Sequence, residues 1–294
     1  MSVLVDGQSR ILIQGITGTT GRTYAERMVV NGTPLVGGVT PGKGGQTVAG
    51  VPVFDTMNEA RQATGADCVL SAIAAPRALD GIYEAFDAGI SLVVLYTENV
   101  PIHDAVKMRA YALAKGGRLF GPNSAGIISP GQANMADLSD DRVRPGRIGV
   151  LSKSGTLTYE VLDDMDLHGF GASSVVCLGG DPVVGTLFVD VLPLFEADSG
   201  TDAVVLLGEP GGTTEYQALD YVRTMSKPVI AHMTGQSAPA EKRMGHAGAI
   251  SGQSGQSTTA TAKLEAFRAA GCETAALVTE IGSAVGRALE GIQK

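Results

Sequence analysis

One histidine of the chain lies in a segment whose composition is typical of a catalytic loop. His246 follows Gly245, two basic residues (Lys242 and Arg243) come shortly before it, and a serine-, glycine- and glutamine-rich run occupies residues 251–257. This composition is typical of a mobile loop rather than of a helix or strand. Glycine removes side-chain bulk, so another group can approach the ring. An imidazole that titrates near neutral pH can act as a base, an acid or a nucleophile; a surface-loop histidine without a task is the alternative.

A carboxylate follows a predicted strand in the second half of the chain. Glu209 comes soon after the predicted strand 202–207 and stands among glycine and proline. A carboxylate at a strand end could accept a hydrogen bond from an imidazole and so fix its tautomer and orientation. An exposed loop glutamate is the alternative. The other histidines are weaker candidates for a catalytic residue. His232 lies in a predicted strand, and His103 and His168 lie in predicted helices.

Two predicted helices begin directly after glycine-rich strand ends. Ser154, Gly155 and Thr156 precede a helix over residues 157–167, and a second helix is predicted from residue 185 to about 196. The backbone N–H groups and the dipole of a helix N-terminus attract anions. Two such termini facing each other would bind one phosphoryl group, whereas each alone is equally compatible with an ordinary capped helix.

The first half of the chain opens with the elements of a nucleotide-binding unit. Residues 11–14 form an apolar strand, Gly15, Gly18 and Gly21 follow, and residues 22–31 have a helical composition. Strand, glycine turn and helix are the phosphate-binding start of a Rossmann unit. The glycines are spaced three apart, unlike the usual dinucleotide fingerprint, so a nucleotide is indicated without specifying NAD. A tight turn without a ligand is the alternative.

The remaining strands and helices of the first half alternate regularly. Apolar runs at residues 35–39, 68–73 and 91–96 are separated by helical segments, which indicates a parallel sheet covered on both faces. Ligands of such sheets bind at the carboxyl ends of the strands. Lys43 stands among glycines just after the second strand, where it could meet a phosphate or simply lie exposed.

The same alternation continues in the second half, after a proline-containing connection. Chain length and this connection indicate two domains. We predict an α/β protein with a Rossmann-like domain over residues 1–126, a connection over residues 127–146, and a flavodoxin-like domain over residues 147–294 that carries the His246 loop.

Composition narrows the class of protein. The 294 residues are 44% apolar and 18% charged, as in a globular chain, and a net charge of -8 without a basic tract argues against nucleic acid as a partner. Cys68, Cys177 and Cys272 are far apart and predict free buried thiols in a reducing compartment. The N-terminus does not resemble a signal peptide, and no apolar run reaches membrane-spanning length. We therefore expect a cytoplasmic protein, or one of the mitochondrial matrix.

Taken together, these motifs resemble the alpha subunits of succinate–CoA ligase and related nucleoside-diphosphate-forming acid–thiol ligases. The similarity covers almost the whole chain, and the combination of motifs is far more specific than any one of them. The residues that carry it are Gly15-Ile16-Thr17-Gly18, Gly37 to Gly45, Gly121-Pro122-Asn123, Ser152 to Glu160, Gly179-Gly180-Asp181-Pro182, Gly208-Glu209 and Gly245 to Ile250.

The resemblance implies a CoA-binding Rossmann-like domain followed by a flavodoxin-like ligase domain. It implies that His246 is phosphorylated as a phosphohistidine and that Glu209 orients its ring. ATP or GTP with Mg²⁺ would bind a separate beta subunit, whose helix N-terminus would face the one at residues 154–156 across the phosphoryl group. The acid would become an acyl phosphate, from which the CoA thiol displaces phosphate. The chain would thus act in a hetero-oligomer and hold no metal of its own.

The resemblance also assigns binding residues. Tyr159 matches the position that contacts the acid. The phosphoryl group would meet Ser154, Gly155 and Thr156. The positions that match the CoA site lie in the first domain and are Thr17, Gly18, Thr19, Thr20, Lys43, Tyr96, Thr97 and Glu98.

The chain departs from the family pattern near these sites. Ser124 stands where relatives carry a cysteine, Thr19 and Thr20 where they carry Gln-Gly, and residues 136–141 where they carry a Met-Pro-Gly-His segment. Succinate is the default acid, and a paralogue for malate, citrate or a sulfonated acid is the alternative.

Two functions of other classes stay open at this point. A nicotinamide-dependent oxidoreductase would use the first glycine motif, although its spacing is irregular for that task. A non-catalytic CoA-binding regulator would need neither His246 nor Glu209, both of which the chain retains.

Overall fold

The computed structural model describes residues 2–238, 245–250 and 257–292. Lys242, Arg243 and residues 251–256 of the predicted mobile loop therefore lie outside the described residues. Within the described ranges, the strands form two seven-stranded sheets, each flanked by helices. The predicted α/β class, with a Rossmann-like unit followed by a flavodoxin-like unit, is confirmed.

The first sheet has the strand order β3-β4-β2-β1-β5-β6-β7. Its parallel strands follow the 3-2-1-4-5-6 order of dinucleotide-binding folds, and β3 adds an antiparallel edge. The elements are β1 (Ile11–Gln14), α1 (Thr19–Val30), β2 (Leu35–Val39), β3 (Thr47–Val48), β4 (Val51–Phe54), α2 (Met57–Thr64), β5 (Cys68–Ser71), α3 (Ala75–Asp87), β6 (Leu92–Leu95), α4 (Ile102–Ala114) and β7 (Arg118–Phe120).

The second sheet has the order β14-β13-β12-β10-β11-β8-β9. Its parallel part, β11-β10-β12-β13-β14, is the 2-1-3-4-5 order of flavodoxin-like folds. The elements are β8 (Gly126–Ser129), β9 (Ala133–Ala136), β10 (Pro145–Ser152), α5 (Gly155–Leu167), β11 (Ala172–Cys177), α6 (Phe188–Ala197), β12 (Ala203–Gly208), α7 (Leu219–Val222), β13 (Val229–Met233), α8 (Ala260–Ala269), β14 (Glu273–Ala275) and α9 (Ile281–Ile292).

The segment 127–146, predicted as a connection, is instead part of the second sheet. β8 and β9 form an antiparallel pair, and β8 pairs in turn with β11. All residues of both strands are buried. The pair occupies the free edge of β11 and satisfies backbone groups there that would otherwise be unpaired. The prediction failed because β9 contains none of the β-branched or aromatic residues typical of strands, and no helix separates it from β8.

The central strands of both sheets are mainly apolar because helices cover both of their faces. Every residue of β1, β5 and β6 is buried, as is every residue of β11, β12 and β13. Fully buried, near-continuous apolar strands are the pattern of parallel sheets. None of the helices in the described ranges is long and apolar enough to cross a lipid bilayer.

Hydrogen bonds join the N-terminal part of the first domain to the second domain. Before β1, the Val3 N–H donates to Ser174 Oγ (3.0 Å), and Ser129 Oγ donates to the Val5 carbonyl oxygen (2.6 Å). On α1, the Tyr24 hydroxyl donates to an Asp137 carboxylate oxygen (3.0 Å). Residues before β1 thus bond to strands of the second sheet. The second domain is therefore held together by segments that are distant in sequence.

Candidate active site

The predicted histidine and carboxylate form the centre of the site. His246 Nδ1 lies 2.6 Å from Glu209 Oε2, and the Glu209 carboxylate is buried directly after β12. An ionised carboxylate only accepts hydrogen bonds, so Nδ1 carries the proton and Nε2 is left free. The hydrogen bond to Glu209 raises the pKa of His246 above its ordinary value, although burial and the Lys153 ammonium oppose this. A ring held in this way could act as a nucleophile through Nε2.

Two glycines make room for the histidine and its loop. A Cβ atom on Gly180, which follows β11, would lie 2.7 Å from the His246 ring. A Cβ atom on Gly211 would lie 2.4 Å from the Gly248 carbonyl oxygen, and Gly211 also adopts a φ of +86° that favours glycine. The imidazole is therefore packed directly against backbone on one side, which fixes where its ring can lie.

Three further charged side chains lie buried behind the carboxylate of Glu209. The Lys153 ammonium lies 3.3 Å from Glu209 Oε1 and 3.7 Å from Glu215 Oε1. Lys263 Nζ lies 2.6 Å from Glu215 Oε2 and donates to the carbonyl oxygens of Glu209 (2.8 Å) and Gly211. Sequence reasoning missed this cluster. Its signal is faint, because each residue sits in a loop or on a helix where a charge is ordinarily exposed.

The N-terminus of α5 lies beside the imidazole. Ser154 is its N-cap, and Ser154 Oγ accepts a hydrogen bond from the Leu157 N–H (3.3 Å). The first turn carries no acidic residue, so nothing in it opposes an incoming anion. Ser154 and His246 line one small cavity of about 200 Å³, together with Leu157, Glu209, Pro210, Thr234, Gly235, Gly245 and Ala249.

The second predicted helix N-terminus does not share this cavity. α6 begins at Phe188 rather than at residue 185. The Thr186 hydroxyl donates to the Leu119 carbonyl oxygen (2.7 Å), and Thr186 lines a separate depression with Arg118. In the described part of the chain, α5 is therefore the helix whose N-terminus meets His246.

A cleft of about 790 Å³ lies between the two sheets and reaches His246. Its walls include residues predicted for three different tasks: CoA binding, acid binding and phosphoryl binding. The residues of these sets that line it are Thr20, Tyr96, Thr97, Glu98, Tyr159, Gly155, Thr156 and His246. One continuous space thus connects the first domain to the imidazole.

A second cavity of about 760 Å³ lies beside the turn between β1 and α1. Thr17 and Gly18, two of the residues predicted to contact CoA, line it. Lys43 lies on an exposed turn just beyond Thr40, which lines the cavity, and Thr19 is exposed at the start of α1; neither lines the cavity. A ligand in this cavity would reach Lys43 and Thr19 only if it extended beyond the cavity.

The hydroxyl groups at the mouth of the cleft have partners in the protein. Tyr159 Oη accepts from the Ser139 N–H (2.9 Å) and donates to the Asp137 carbonyl oxygen (3.1 Å). Ser124 Oγ donates to the Cys177 carbonyl oxygen (2.6 Å) and accepts from the Gly126 N–H (3.0 Å). Tyr159 therefore holds the segment that starts at Asp137 against α5, and Ser124 stabilises the entry into β8.

Buried titratable groups outside the cluster have structural roles. His232 is buried in β13, and its Nδ1 lies 3.0 Å from the Ala275 carbonyl oxygen. Cys68, Cys177 and Cys272 are free and buried, as predicted, and burial raises the pKa of the Cys177 thiol to about 12. Asp181 was named in the sequence only as part of a motif, without a role; burial raises the pKa of its carboxyl, and its charge helps to raise the pKa of His246.

Comparison with known proteins places these features in context. A sequence-family model described as a CoA binding domain matches residues 6–99, and one described as CoA-ligase matches residues 151–272. The chain is 46% identical over 290 residues to subunit alpha 1 of the ADP-forming succinate–CoA ligase of Archaeoglobus fulgidus, which covers 99% of both chains. It is 45% identical over 284 residues to the corresponding alpha subunit of Staphylococcus aureus, covering 96% of this chain and 93% of that one.

The fold is also similar to a solved structure. ATP citrate lyase from Methanothrix soehngenii, in complex with citrate and coenzyme A, superposes with a TM-score of 0.90 at 24% identity. The similarity covers 99% of this chain and 51% of that one, so the present chain corresponds to about half of the lyase. At this identity the likeness concerns the fold alone.

Proposed function

Since the chain belongs to the family of succinate–CoA ligase alpha subunits, we propose that His246 is the residue through which it transfers a phosphoryl group. The chain is part of an acid–thiol ligase and contains a CoA-binding domain and a CoA-ligase domain. The observation that carries the proposal is the 2.6 Å contact between His246 Nδ1 and Glu209, which leaves Nε2 free beside the α5 N-terminus.

The first half-reaction uses the nucleophilic nitrogen of His246. Nε2 of the neutral ring attacks the terminal phosphorus of ATP or GTP, which is bound with Mg²⁺ on a beta subunit. The bond from Nε2 to phosphorus forms as the bond to the nucleoside diphosphate breaks. Glu209 keeps the proton on Nδ1 and stabilises the positive charge that develops on the ring. The N–H groups of Gly155 and Thr156 at the α5 N-terminus would donate to the phosphoryl oxygens, as helix N-termini do for anions, whereas the Ser154 N–H donates to Ser152 Oγ.

The second half-reaction takes place on the cleft side of the ring. A carboxylate oxygen of the acid attacks the phosphorus, the bond to Nε2 breaks, and an acyl phosphate forms. The thiolate of CoA then attacks the acyl carbon, and inorganic phosphate leaves. CoA would occupy the first domain, with Thr17, Gly18, Thr19, Thr20, Lys43, Tyr96, Thr97 and Glu98 as its contacts. The cleft supports this order, since it joins Thr20 and Tyr96 to His246.

Succinate is the acid we propose, on the basis of the names of the relatives. Tyr159 would contact it at the mouth of the cleft. Asp137 also lines this cleft, where its carboxylate accepts a hydrogen bond from the Tyr24 hydroxyl, and malate, whose hydroxyl group could donate to the same carboxylate, is the second candidate. An acid panel of succinate, malate, citrate and a sulfonated acid, assayed for CoA-dependent phosphate release, separates these substrates.

The partner and location follow from the same family. A beta subunit would complete a hetero-oligomer and hold the nucleotide, and bacterial and archaeal relatives support a cytoplasmic enzyme. The nicotinamide-dependent alternative has no support from the relatives. A non-catalytic regulator would show no activity with any beta subunit.

Labelling tests the proposal directly. The chain is combined with its beta subunit and nucleoside triphosphate labelled on the terminal phosphate. We expect a protein-bound label that is stable in base and labile in acid, as a phosphohistidine is. The His246→Ala variant should lack it. Persistence of the label in this variant would contradict the proposal.

A further inference from the structure

The buried side chains behind Glu209 alternate in charge. The order runs from the Lys263 ammonium to the Glu215 carboxylate, then to the Lys153 ammonium and the Glu209 carboxylate, and ends at the His246 ring. The side chains of Lys263 and Glu215 are 0% exposed, and that of Lys153 is 8% exposed. Four charges removed from water are costly unless each faces an opposite charge, so this arrangement constrains where each group can lie.

The two lysines contact Glu209 in different ways. Lys153 faces the carboxylate of Glu209 at Oε1, the oxygen that makes no hydrogen bond within the described ranges. Lys263 instead donates to the backbone carbonyl oxygen of Glu209. Both lysines share Glu215 as an ion-pair partner. Of the two, therefore, Lys153 acts on the carboxylate that holds His246, and Lys263 acts on the backbone that carries it.

Lys153 is also fixed by its place in the chain. Its N–H donates to the Leu207 carbonyl oxygen (3.2 Å), which joins the end of β10 to the end of β12. The next residue, Ser154, is the N-cap of α5. The backbone of Lys153 thus links the strand that leads to Glu209 with the helix N-terminus beside the imidazole.

We propose that Lys153 is a positioning residue for phosphoryl transfer: its ammonium holds the Glu209 carboxylate against His246 Nδ1, while its backbone sets the α5 N-terminus beside Nε2. This inference rests on the proposed phosphorylation of His246. With Oε1 attracted to the ammonium, the carboxylate presents Oε2 to the ring, which selects the tautomer with a free Nε2. The charged groups that face the ring are Glu209, Lys153 and Asp181.

Substitution of Lys263 provides a matched control for substitution of Lys153. Lys153→Met and Lys263→Met each remove a buried ammonium that pairs with Glu215, so both should lower the unfolding temperature. Lys153→Met should also release the carboxylate of Glu209, whereas Lys263→Met leaves the ion pair between Lys153 and Glu209 in place. Lys153→Arg keeps the positive charge and should restore most of the effect on the ring.

The tautomer of His246 is the first readout. Long-range ¹H–¹⁵N spectra of the full-length chain, at a pH where the ring is neutral, report which nitrogen carries the proton; His246→Ala assigns the signal. We expect a single Nδ1–H tautomer in the wild type, in Lys263→Met and in Lys153→Arg, and a mixture in Lys153→Met. An unchanged tautomer in Lys153→Met, or the same mixture in Lys263→Met, would overturn the proposal.

The rate of phosphorylation with the beta subunit is the second readout. Lys153→Met should lower it by about 10- to 100-fold with little change in the KM for nucleotide, because the ring and not the nucleotide site is disturbed. If the wild-type pair is not phosphorylated at all, the proposed function fails, while the tautomer still decides the role of Lys153.

A third variant covers the case in which Lys153→Met does not fold. Glu215→Gln removes the other partner of Lys153 and keeps its contact with Glu209. The Nδ1–H tautomer should persist in this variant even as the unfolding temperature falls. Its loss would show that the cluster supports the fold in general and would contradict a specific role for Lys153.

Discussion

At the scale of single residues, the charge state of His246 sets how well it can act as a nucleophile. The hydrogen bond to Glu209 raises the pKa of the ring, and only the neutral ring has a free electron pair on Nε2. The carboxylate that orients the ring therefore also shifts the neutral, reactive form of the imidazole to higher pH. Glu209 improves geometry and charge stabilisation while it shifts the pH range of the reaction upward.

The substitution Glu209→Gln should separate these two effects. An amide oxygen can still accept from Nδ1, but the negative charge that raises the pKa of His246 is gone. The pH at which phosphorylation reaches half of its maximal rate should therefore move to lower pH, and the maximal rate should fall by about 10- to 100-fold. Single-turnover labelling across a pH series measures both. A pH profile that keeps the wild-type midpoint would contradict the role of Glu209.

The substitution Gly180→Ala should displace the imidazole without touching its partners. The added Cβ would lie 2.7 Å from the ring, so either the ring or the turn after β11 must move. We expect phosphorylation to fall at least tenfold, roughly what a 1.4 kcal/mol rise in the barrier produces. Gly7→Ala is the matched control, since its Cβ would meet open space among the described residues and Gly7 lies before β1, outside the site. Equal losses in the two variants would argue against close packing of the ring at Gly180.

At the scale of elements, the site is assembled from strand ends and one helix N-terminus. Glu209 follows β12, Gly180 follows β11, and Ser154 follows β10. These three parallel strands are neighbours in the sheet, so their carboxyl ends deliver the side chains to one place. Sequence patterns could predict this edge, because near-continuous apolar strands ending in glycine mark it.

Other parts of the site needed the folded structure. Lys153, Glu215 and Lys263 come from three distant segments and meet only through the fold, so no local pattern marks them as buried. The antiparallel pair β8 and β9 was missed because β9 consists of Ala, Asn and Met, which are not typical strand residues, and no helix separates it from β8 as in the predicted strand–helix alternation. The α5 cap at Ser154, by contrast, was predictable, since capping depends on neighbours in sequence.

Tyr159 tests how the mouth of the cleft is held. Its hydroxyl bridges the Ser139 N–H and the Asp137 carbonyl oxygen, so Tyr159→Phe frees both. We expect a loss of about 1 kcal/mol in unfolding free energy, and a KM for the acid that rises more than the KM for nucleotide. Tyr83→Phe, on α3 and outside this cleft, should leave the KM for the acid unchanged. A fall in kcat with unchanged KM values would place Tyr159 in the chemistry instead.

At the scale of the whole molecule, two histidines act oppositely on stability as pH changes. Burial lowers the pKa of His232, so its contribution is present above the unfolded pKa of about 6.5 and is lost as pH falls towards the folded pKa. Glu209 raises the pKa of His246, so that contribution is present below about 6.5 and is lost as pH rises through the folded pKa.

Denaturant unfolding of variants between about pH 5 and pH 8 measures this opposition. As pH falls, the unfolding free energy should decrease less steeply in His232→Gln than in the wild type. It should decrease more steeply in His246→Ala. Each effect involves at most one proton, so each is below about 1.4 kcal/mol per pH unit. Identical slopes in wild type and His232→Gln would mean that the His232 ring is not held in its neutral form by burial.

The bonds that residues before β1 make with the second sheet have a practical consequence. The second domain is bonded to Val3 and Val5, which precede the first sheet, and includes β8 and β9, which follow it. The whole first sheet is therefore inserted between these segments in sequence. The CoA-binding part is therefore an insertion rather than an exchangeable cassette. A chimeric enzyme made by a single crossover near residue 147 would graft a sheet that lacks its edge pair, whereas two crossovers, one just before β1 and one just after β7, would keep every strand with its natural neighbour.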